Sequence, residues 1–174
     1  MSTCNDDDVH LVRMSEVHLA NTYQWLKSDG LRRQIDCRHA PTEEENRNCW
    51  LARWREDSRE DYAIVAGGRH IGNCGLCDID RPRRKAQMWI YLGEAQGRSH
   101  GTSAARQLLA RAFDGLGLNR VYLRVVAHND RAMRLYAKLG FAREGLLRQD
   151  TVQEDGFVDF IVMGLLASEY RRIP

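Results

Sequence analysis

Two consecutive glycines, Gly67 and Gly68, separate the strand-like runs 61–66 and 70–79. A two-residue turn between antiparallel strands needs positive φ at both central positions, which glycine adopts without steric cost. The middle of the chain is therefore expected to fold back on itself as a β-hairpin, and an all-helical bundle is excluded. Further strands are expected around it. Residues 9–14 alternate weakly, and 86–92 follow the basic link Arg81-Pro82-Arg83-Arg84-Lys85. Residues 120–127 set Val121, Leu123 and Val125 opposite Tyr122, Arg124 and Val126, and 141–150 and 157–166 flank a turn at Glu154-Asp155-Gly156.

Helical spacing occupies the intervals. Leu19, Tyr23 and Leu26 mark a helix over 16–27, which Asp29-Gly30 is expected to end. Thr42 and Glu45 form a capping-box pattern that opens a second helix running through Trp50 and Trp54. Ala104, Leu108, Leu109 and Ala112 share one face of a helix over 101–116, and a shorter helix over 132–139 ends at Gly140. The order is a strand, two helices, a run of strands, a helix, a strand, a helix and two strands. That is a mixed α/β fold around one sheet, expected as a single domain over residues 1–174.

Composition narrows the function classes. A net charge of +2, with Arg and Lys scattered among Asp and Glu, lacks the concentrated basic face of a nucleic-acid binder. No apolar run approaches the roughly 20 residues of a membrane span, and residues 1–8 are polar and acidic, so neither membrane nor secretory signal is expected. The five cysteines, Cys4, Cys37, Cys49, Cys74 and Cys77, are odd in number and follow no framework spacing, as expected in a reducing cytoplasm. Cys74-Gly-Leu-Cys77 lacks the second pair that structural zinc requires and sits in a strand-like run, so inert thiols and no metal are expected.

A strand, a glycine-containing loop and a helix start is a geometry that binds phosphate, because backbone N–H groups and the helix dipole face the anion. Gln96, Gly97, Arg98, Ser99, His100, Gly101 and Thr102 occupy that place after the strand 86–92. The loop is not a Walker loop, since no Gly-Lys-Ser/Thr follows, and the dinucleotide fingerprint fails for want of a third glycine. Alone it reads equally as a turn before a helix. A second element follows the strand 120–127: Asn129-Asp130-Arg131-Ala132-Met133-Arg134-Leu135-Tyr136-Ala137-Lys138-Leu139-Gly140-Phe141. Asn129 can cap this helix, and Tyr136 lies two turns further along nearly the same face.

Asn, Ala, Tyr and Gly-Phe at these intervals resemble the GCN5-related N-acetyltransferase (GNAT) family. Beside them the earlier loop is similar to that family's pyrophosphate-binding Gln/Arg-x-x-Gly-x-Gly/Ala. Gln96 and Gly101 fit it, while Ser99 stands where the family usually has its first glycine, a position that a positive φ would strain. The resemblance implies a twisted, mostly antiparallel sheet of about six or seven strands flanked by about four helices, splayed at the cofactor site. It further implies acetyl-CoA as cosubstrate, its pantetheine arm lying along Trp89, Ile90 and Tyr91 like an added strand. A backbone N–H there would stabilise the oxyanion of a direct attack by an amine on the thioester. Tyr136 matches the family's general acid, and Asn129 either contacts the cofactor or only caps. Arg131 and Arg134 are either phosphate contacts or solvated surface.

No general base is legible. Gln87 stands where many relatives carry Glu, and Arg124 stands at the other frequent Glu position. His128, Asp80, Glu94 and His70 remain as candidates, with a water chain to bulk as the alternative. The resemblance implies a cytoplasmic enzyme acting on a small-molecule amine or a peptide N-terminus. An amino sugar on a nucleotide carrier leads, ahead of a ribosomal-protein N-terminus or a polyamine. Trp25, Trp50, Trp54 and Tyr23 offer either core or flat surface for a sugar or base, and Asp36, Glu43 and Glu44 either hold a cationic amine or decorate helix starts. The missing base and Ser99 also leave open a CoA-binding module without turnover. The late apolar run Phe160-Ile161-Val162-Met163 is compatible with a homodimer or with a buried strand.

Overall fold

The Gly67–Gly68 turn takes φ of 55° and 77°, and it joins strands β2 (Glu60–Ala66) and β3 (Arg69–Asp80) in antiparallel register, with Ala66 opposite Arg69. The computed structural model describes residues 9–37, 39–94, 99–153 and 156–171. Around this hairpin lie β1 (Val9–Arg13), β4 (Lys85–Leu92), β5 (Arg120–Val126), β6 (Ala142–Gln153) and β7 (Gly156–Leu166). They form one seven-stranded sheet in the order β1-β2-β3-β4-β5-β7-β6. Every neighbouring pair is antiparallel except β4 and β5.

Those two central strands pair only where Lys85, Ala86 and Gln87 meet Arg120, Val121 and Tyr122. Beyond Gln87 they part, while β4 stays bonded to β3 and β5 to β7. Residues 88–92 and 123–126 thus face each other across a gap without shared ladder bonds.

Among the described residues six α-helices accompany the sheet: α1 (Leu19–Leu26), α2 (Asp29–Gln34), α3 (Glu43–Arg53), α4 (His100–Ala110), α5 (Asp130–Lys138) and α6 (Ala167–Tyr170). Successive strand residues face opposite sides, which divides the core in two. Ile64, Met88 and Leu123 join Ala104 and Leu108 of α4 and Tyr136 of α5 in the larger cluster. Ala63 packs on the other face with Leu19 of α1 and Trp50 of α3, against Trp54 and Trp89. Trp25 and Trp50 are buried, at 8% and 3% exposure, whereas Tyr23 and Trp54 are half-buried.

Local detail departs from expectation in three places. Helix α1 ends at Leu26, ahead of Asp29-Gly30 as expected, but those two residues open a further helix, α2. Gly30 costs that helix about 1 kcal/mol, but Leu31 and Arg32 are buried, and the Arg32 guanidinium donates to the Leu26 and Lys27 carbonyls at 2.9 Å each. The helix expected over 101–116 instead changes at Ala110 into a wider π turn over Arg111–Gly115, which buries Ala112 and Phe113. The helix expected from Ala132 begins at Asp130, because the Asn129 side chain accepts from the Ala132 N–H at 3.1 Å. The Thr42–Glu45 capping box forms as expected, with bonds of 3.2 and 2.7 Å.

The run Phe160-Ile161-Val162-Met163 lies in β7, an interior strand between β5 and β6. Cys74 and Cys77 are buried in β3, where desolvation pushes both thiols up, Cys77 to about 11. No helix among the described residues is long and apolar enough to cross a membrane.

Candidate active site

The parting of β4 and β5 opens a cavity of about 1070 Å³ that reaches from α4 and α5 on one face to α2 and α3 on the other. Leu92, Gly101, Thr102, Asn129, Leu135 and Tyr136 line it on the first side, and Leu31, Cys37, Cys49, Trp50 and Arg53 on the second. Strand β4 runs along it, exposing Met88, Trp89, Ile90 and Tyr91 to the space.

Tyr136 reaches this wall because α5 is held at both ends. Asn129 caps its start, and Gly140, at φ 87°, follows its end. The ring is 6% exposed and meets Phe141 edge-on at 5.8 Å. Its hydroxyl has no hydrogen-bond partner among the described residues. Burial raises its pKa well above the usual phenol value, so the oxygen keeps its proton.

Trp89 stacks on Tyr91 at 6.0 Å and faces Trp50 at 6.1 Å. The Tyr91 hydroxyl accepts from Asn73 Nδ2 at 2.8 Å, inside a buried network that also ties Asn73 to Thr22 and His70. Burial pushes that phenol up to about 12. The side chain is thus fixed, leaving ring and backbone for the cavity. Ile90 is half-buried on the opposite face of β4.

Gln96, Gly97 and Arg98 lie outside the described residues. Ser99 precedes α4 with φ −71° and ψ 10°, an ordinary conformation, so the strain expected there does not arise. The Ser103 N–H makes the first helical bond, to the Ser99 carbonyl at 3.0 Å. The N–H groups of His100, Gly101 and Thr102 therefore have no intrahelical acceptor. A Cβ on Gly101 would approach Leu92 and Leu135 to only 3.7 and 3.9 Å. The His100 ring is buried, at 3% exposure, with neither nitrogen bonded to a described residue, and it is not among the residues that line the cavity. Asn129 does line it, with its side chain engaged as a cap and its Nδ2 donating to the Gln34 carbonyl at 3.5 Å.

None of the four candidate bases reaches the cavity. His128 is exposed. Asp80 pairs with Arg83 at 2.9 Å, and Glu94 accepts from the Trp25 indole at 3.3 Å. His70 bonds Asn73 through Nε2, and desolvation lowers its pKa. Gln87 and Arg124 do line the space, but Gln87 cannot take a proton and Arg124 pairs with Asp150 over the Phe160 ring.

Glu43 and Glu44 stay outside the lining, while Asp36 and Glu45 enter it. Asp36 adopts a left-handed conformation, φ 58°, and accepts from the Thr151 hydroxyl at 2.6 Å. Asp tolerates that region better than most residues. Glu45 is committed to the cap of α3. Cys37, Cys49, Arg53, Arg59 and Cys77 also line the cavity, and periodicity gave no sign of them, because they converge only when α2 and α3 close over β3 and β4. Among the described residues no group of three or more His, Cys, Asp or Glu is arranged to hold a metal.

Comparison with known proteins agrees with this geometry. A profile described as the acetyltransferase (GNAT) domain matches residues 8–142. The uncharacterized N-acetyltransferase p20 of Bacillus licheniformis is 32% identical over 101 residues, which are 58% of this chain and 57% of that protein. The spermidine N(1)-acetyltransferase of Escherichia coli K12 is 28% identical over 116 residues, 66% of this chain and 62% of that one. The matched stretch is thus under two-thirds of either relative's length. The crystal structure of spermidine N-acetyltransferase from Vibrio cholerae, in complex with CoA and spermine, superposes with a TM-score of 0.86. It covers 94% of this chain and 98% of that one at 20% identity, a likeness of fold.

Proposed function

The chain belongs to the acetyltransferase (GNAT) domain family, and on that footing we propose that it is an acetyl-CoA-dependent N-acetyltransferase that acts on a small primary amine by direct transfer. The observation that carries this reading is Tyr136, its ring buried and its side chain on the wall of a cavity opened where β4 and β5 part.

The residues present fit the cosubstrate. The edge of β4 over residues 88–91, which makes no ladder bond to β5, offers backbone donors and acceptors to an extended arm. The N–H groups of His100, Gly101 and Thr102, which have no intrahelical acceptor, suit a pyrophosphate, and Arg131 and Arg134 line the same cavity. Acetyl-CoA, when bound, supplies an activated thioester. A backbone N–H within Trp89, Ile90 and Tyr91 would bond the reacting carbonyl from the edge of β4 that faces the gap. Tyr136 keeps its proton until the thiolate leaves and then gives it up. The acceptor enters between α2 and α3, and with no candidate base in reach its proton passes to water.

The favoured acceptor is an amino sugar on a nucleotide carrier, with the Trp50 and Trp89 rings as a flat apolar wall. A peptide N-terminus and a polyamine are the competing acceptors. Calorimetric titration with acetyl-CoA, run beside a thiol-release assay over amino sugars, peptides and polyamines, tests the reading. Binding with turnover of at least one amine is expected. Binding without any turnover would mean a CoA-binding module, and no binding would reject both.

A further inference from the structure

The charges of the cavity wall are unbalanced. Its described carboxylates are Asp36 and Glu45, and its described cations are Arg53, Arg59, Arg124, Arg131, Arg134 and Lys138. Both carboxylates are already engaged. Asp36 receives the Thr151 hydroxyl, and Glu45 receives the Thr42 N–H at 2.7 Å. The thiols Cys37 and Cys77 are held in the neutral form by burial, so they add no negative charge.

On the α2–α3 side the arginines differ in their partners. Arg59 pairs with Asp61 at 3.3 Å and with Glu56 at 3.8 Å, and Arg124 pairs with Asp150. The guanidinium of Arg53, the last residue of α3, has no ion pair or hydrogen bond among the described residues. Its guanidinium lies 4.9 Å from the centroid of the Trp50 ring, and Trp50 in turn faces Trp89. Arg53 is half-buried, and its guanidinium carries five donors with no protein acceptor among the described residues. Its place over the Trp50 ring leaves those donors available for a forked bond to a carboxylate or phosphate.

Resting on the transferase reading above, we propose that the amine acceptor carries an anionic group, a carboxylate or a phosphate. The Arg53 guanidinium receives that anion beside the Trp50–Trp89 wall, and polycationic amines are poor acceptors. Arg53 is then a specificity residue. The like charge of Arg53 disfavours a polyamine beside that wall, where Asp36 and Glu45 each already hold one hydrogen bond.

The test is a thiol-release assay on matched acceptor pairs: glucosamine against glucosamine 6-phosphate, tyramine against tyrosine, with spermidine as the polycation. In at least one pair the anionic member is expected to exceed its partner in kcat/KM by about tenfold or more, chiefly through KM. The responding pair distinguishes phosphate from carboxylate. Arg53→Ala is expected to bring that ratio close to one, and Arg53→Lys to retain part of it as a point charge without the fork. Raising KCl on the unsubstituted protein reads the same interaction without a variant, and the ratio is expected to fall with salt. Spermidine or the members without the anionic group acting as better acceptors would overturn this proposal and leave the transferase reading standing. So would a ratio unchanged by both Arg53→Ala and salt. Acetyl-CoA binding with no turnover of any amine would overturn the transferase reading, and this proposal with it.

Discussion

Replacing Tyr136 by Phe removes one oxygen and keeps the ring. The hydroxyl has no hydrogen-bond partner among the described residues, so its loss strands no donor or acceptor. The ring contact with Phe141 at 5.8 Å survives. A nearly neutral stability change is therefore expected, within about 0.5 kcal/mol. The catalytic effect is of another size. Loss of a positioned general acid costs roughly 10²–10⁴ in rate, or about 3–5 kcal/mol of barrier. The loss should fall on kcat, with the calorimetric affinity for acetyl-CoA unchanged. The pH profile carries a second signature. Burial raises the phenol above its ordinary value of 10.0, so the unsubstituted enzyme keeps its acid protonated beyond pH 10. Any decline below that pH belongs to the amine or to another group. Thermal melts, calorimetry and thiol release on the same preparations measure all three quantities. A kcat within threefold of the unsubstituted protein, with folding and cofactor affinity intact, would refute the assignment of Tyr136 as acid.

Gly93→Ala should destabilise the fold by about 1–3 kcal/mol or more, because a Cβ there would fall inside the Trp25 indole; urea unfolding reads it. Thr42→Ala removes the oxygen that accepts the Glu45 N–H, and about 0.5–2 kcal/mol should be lost in the same assay. Glu60 bonds Arg111 at 2.7 and 2.9 Å and Tyr62 at 2.8 Å, and Arg111 chiefly holds its carboxyl below the usual 4.5. Its stabilising contribution is thus present above about pH 5 and lost as pH falls through the depressed folded value. Melting temperatures of Glu60→Gln and the unsubstituted protein should therefore differ at pH 7 and converge towards pH 3. Iodoacetamide should label exposed Cys49 and spare Cys74, which is fully buried and whose thiol is pushed up, as peptide mapping would report.

The features legible in the chain were those set by local backbone chemistry. The Gly67-Gly68 turn, the Thr42–Glu45 box and the Asn129 cap each need only a few neighbouring residues, and each formed. Helix α2 escaped notice because Gly30 is a stop signal to a local reading, while its anchor, the bond from Arg32 to the preceding helix, is tertiary. The π turn after Ala110 hid for a similar reason: burial of Phe113, not spacing, favours it. At the site, β4 and Tyr136 could be aligned by motif. The candidate bases could not be judged, since spacing does not say which side of the sheet His70 or His128 meets. Arg53, Cys37 and Cys49 had no motif, because the wall they form exists only after two helices pack over two strands.

The three residue pairs that join β4 to β5 have a mechanical meaning. They divide the sheet into two plates, β1–β4 and β5–β7–β6, connected along a short seam at one end. The Trp89 wall belongs to the first plate, and Tyr136, on the helix following β5, belongs to the second. On the proposed reading, the acid and the acceptor wall therefore ride on different plates. The angle at the seam would then set their separation, and a substitution at Tyr122, which pairs with Gln87 in the seam and does not line the cavity, is expected to change turnover through that angle.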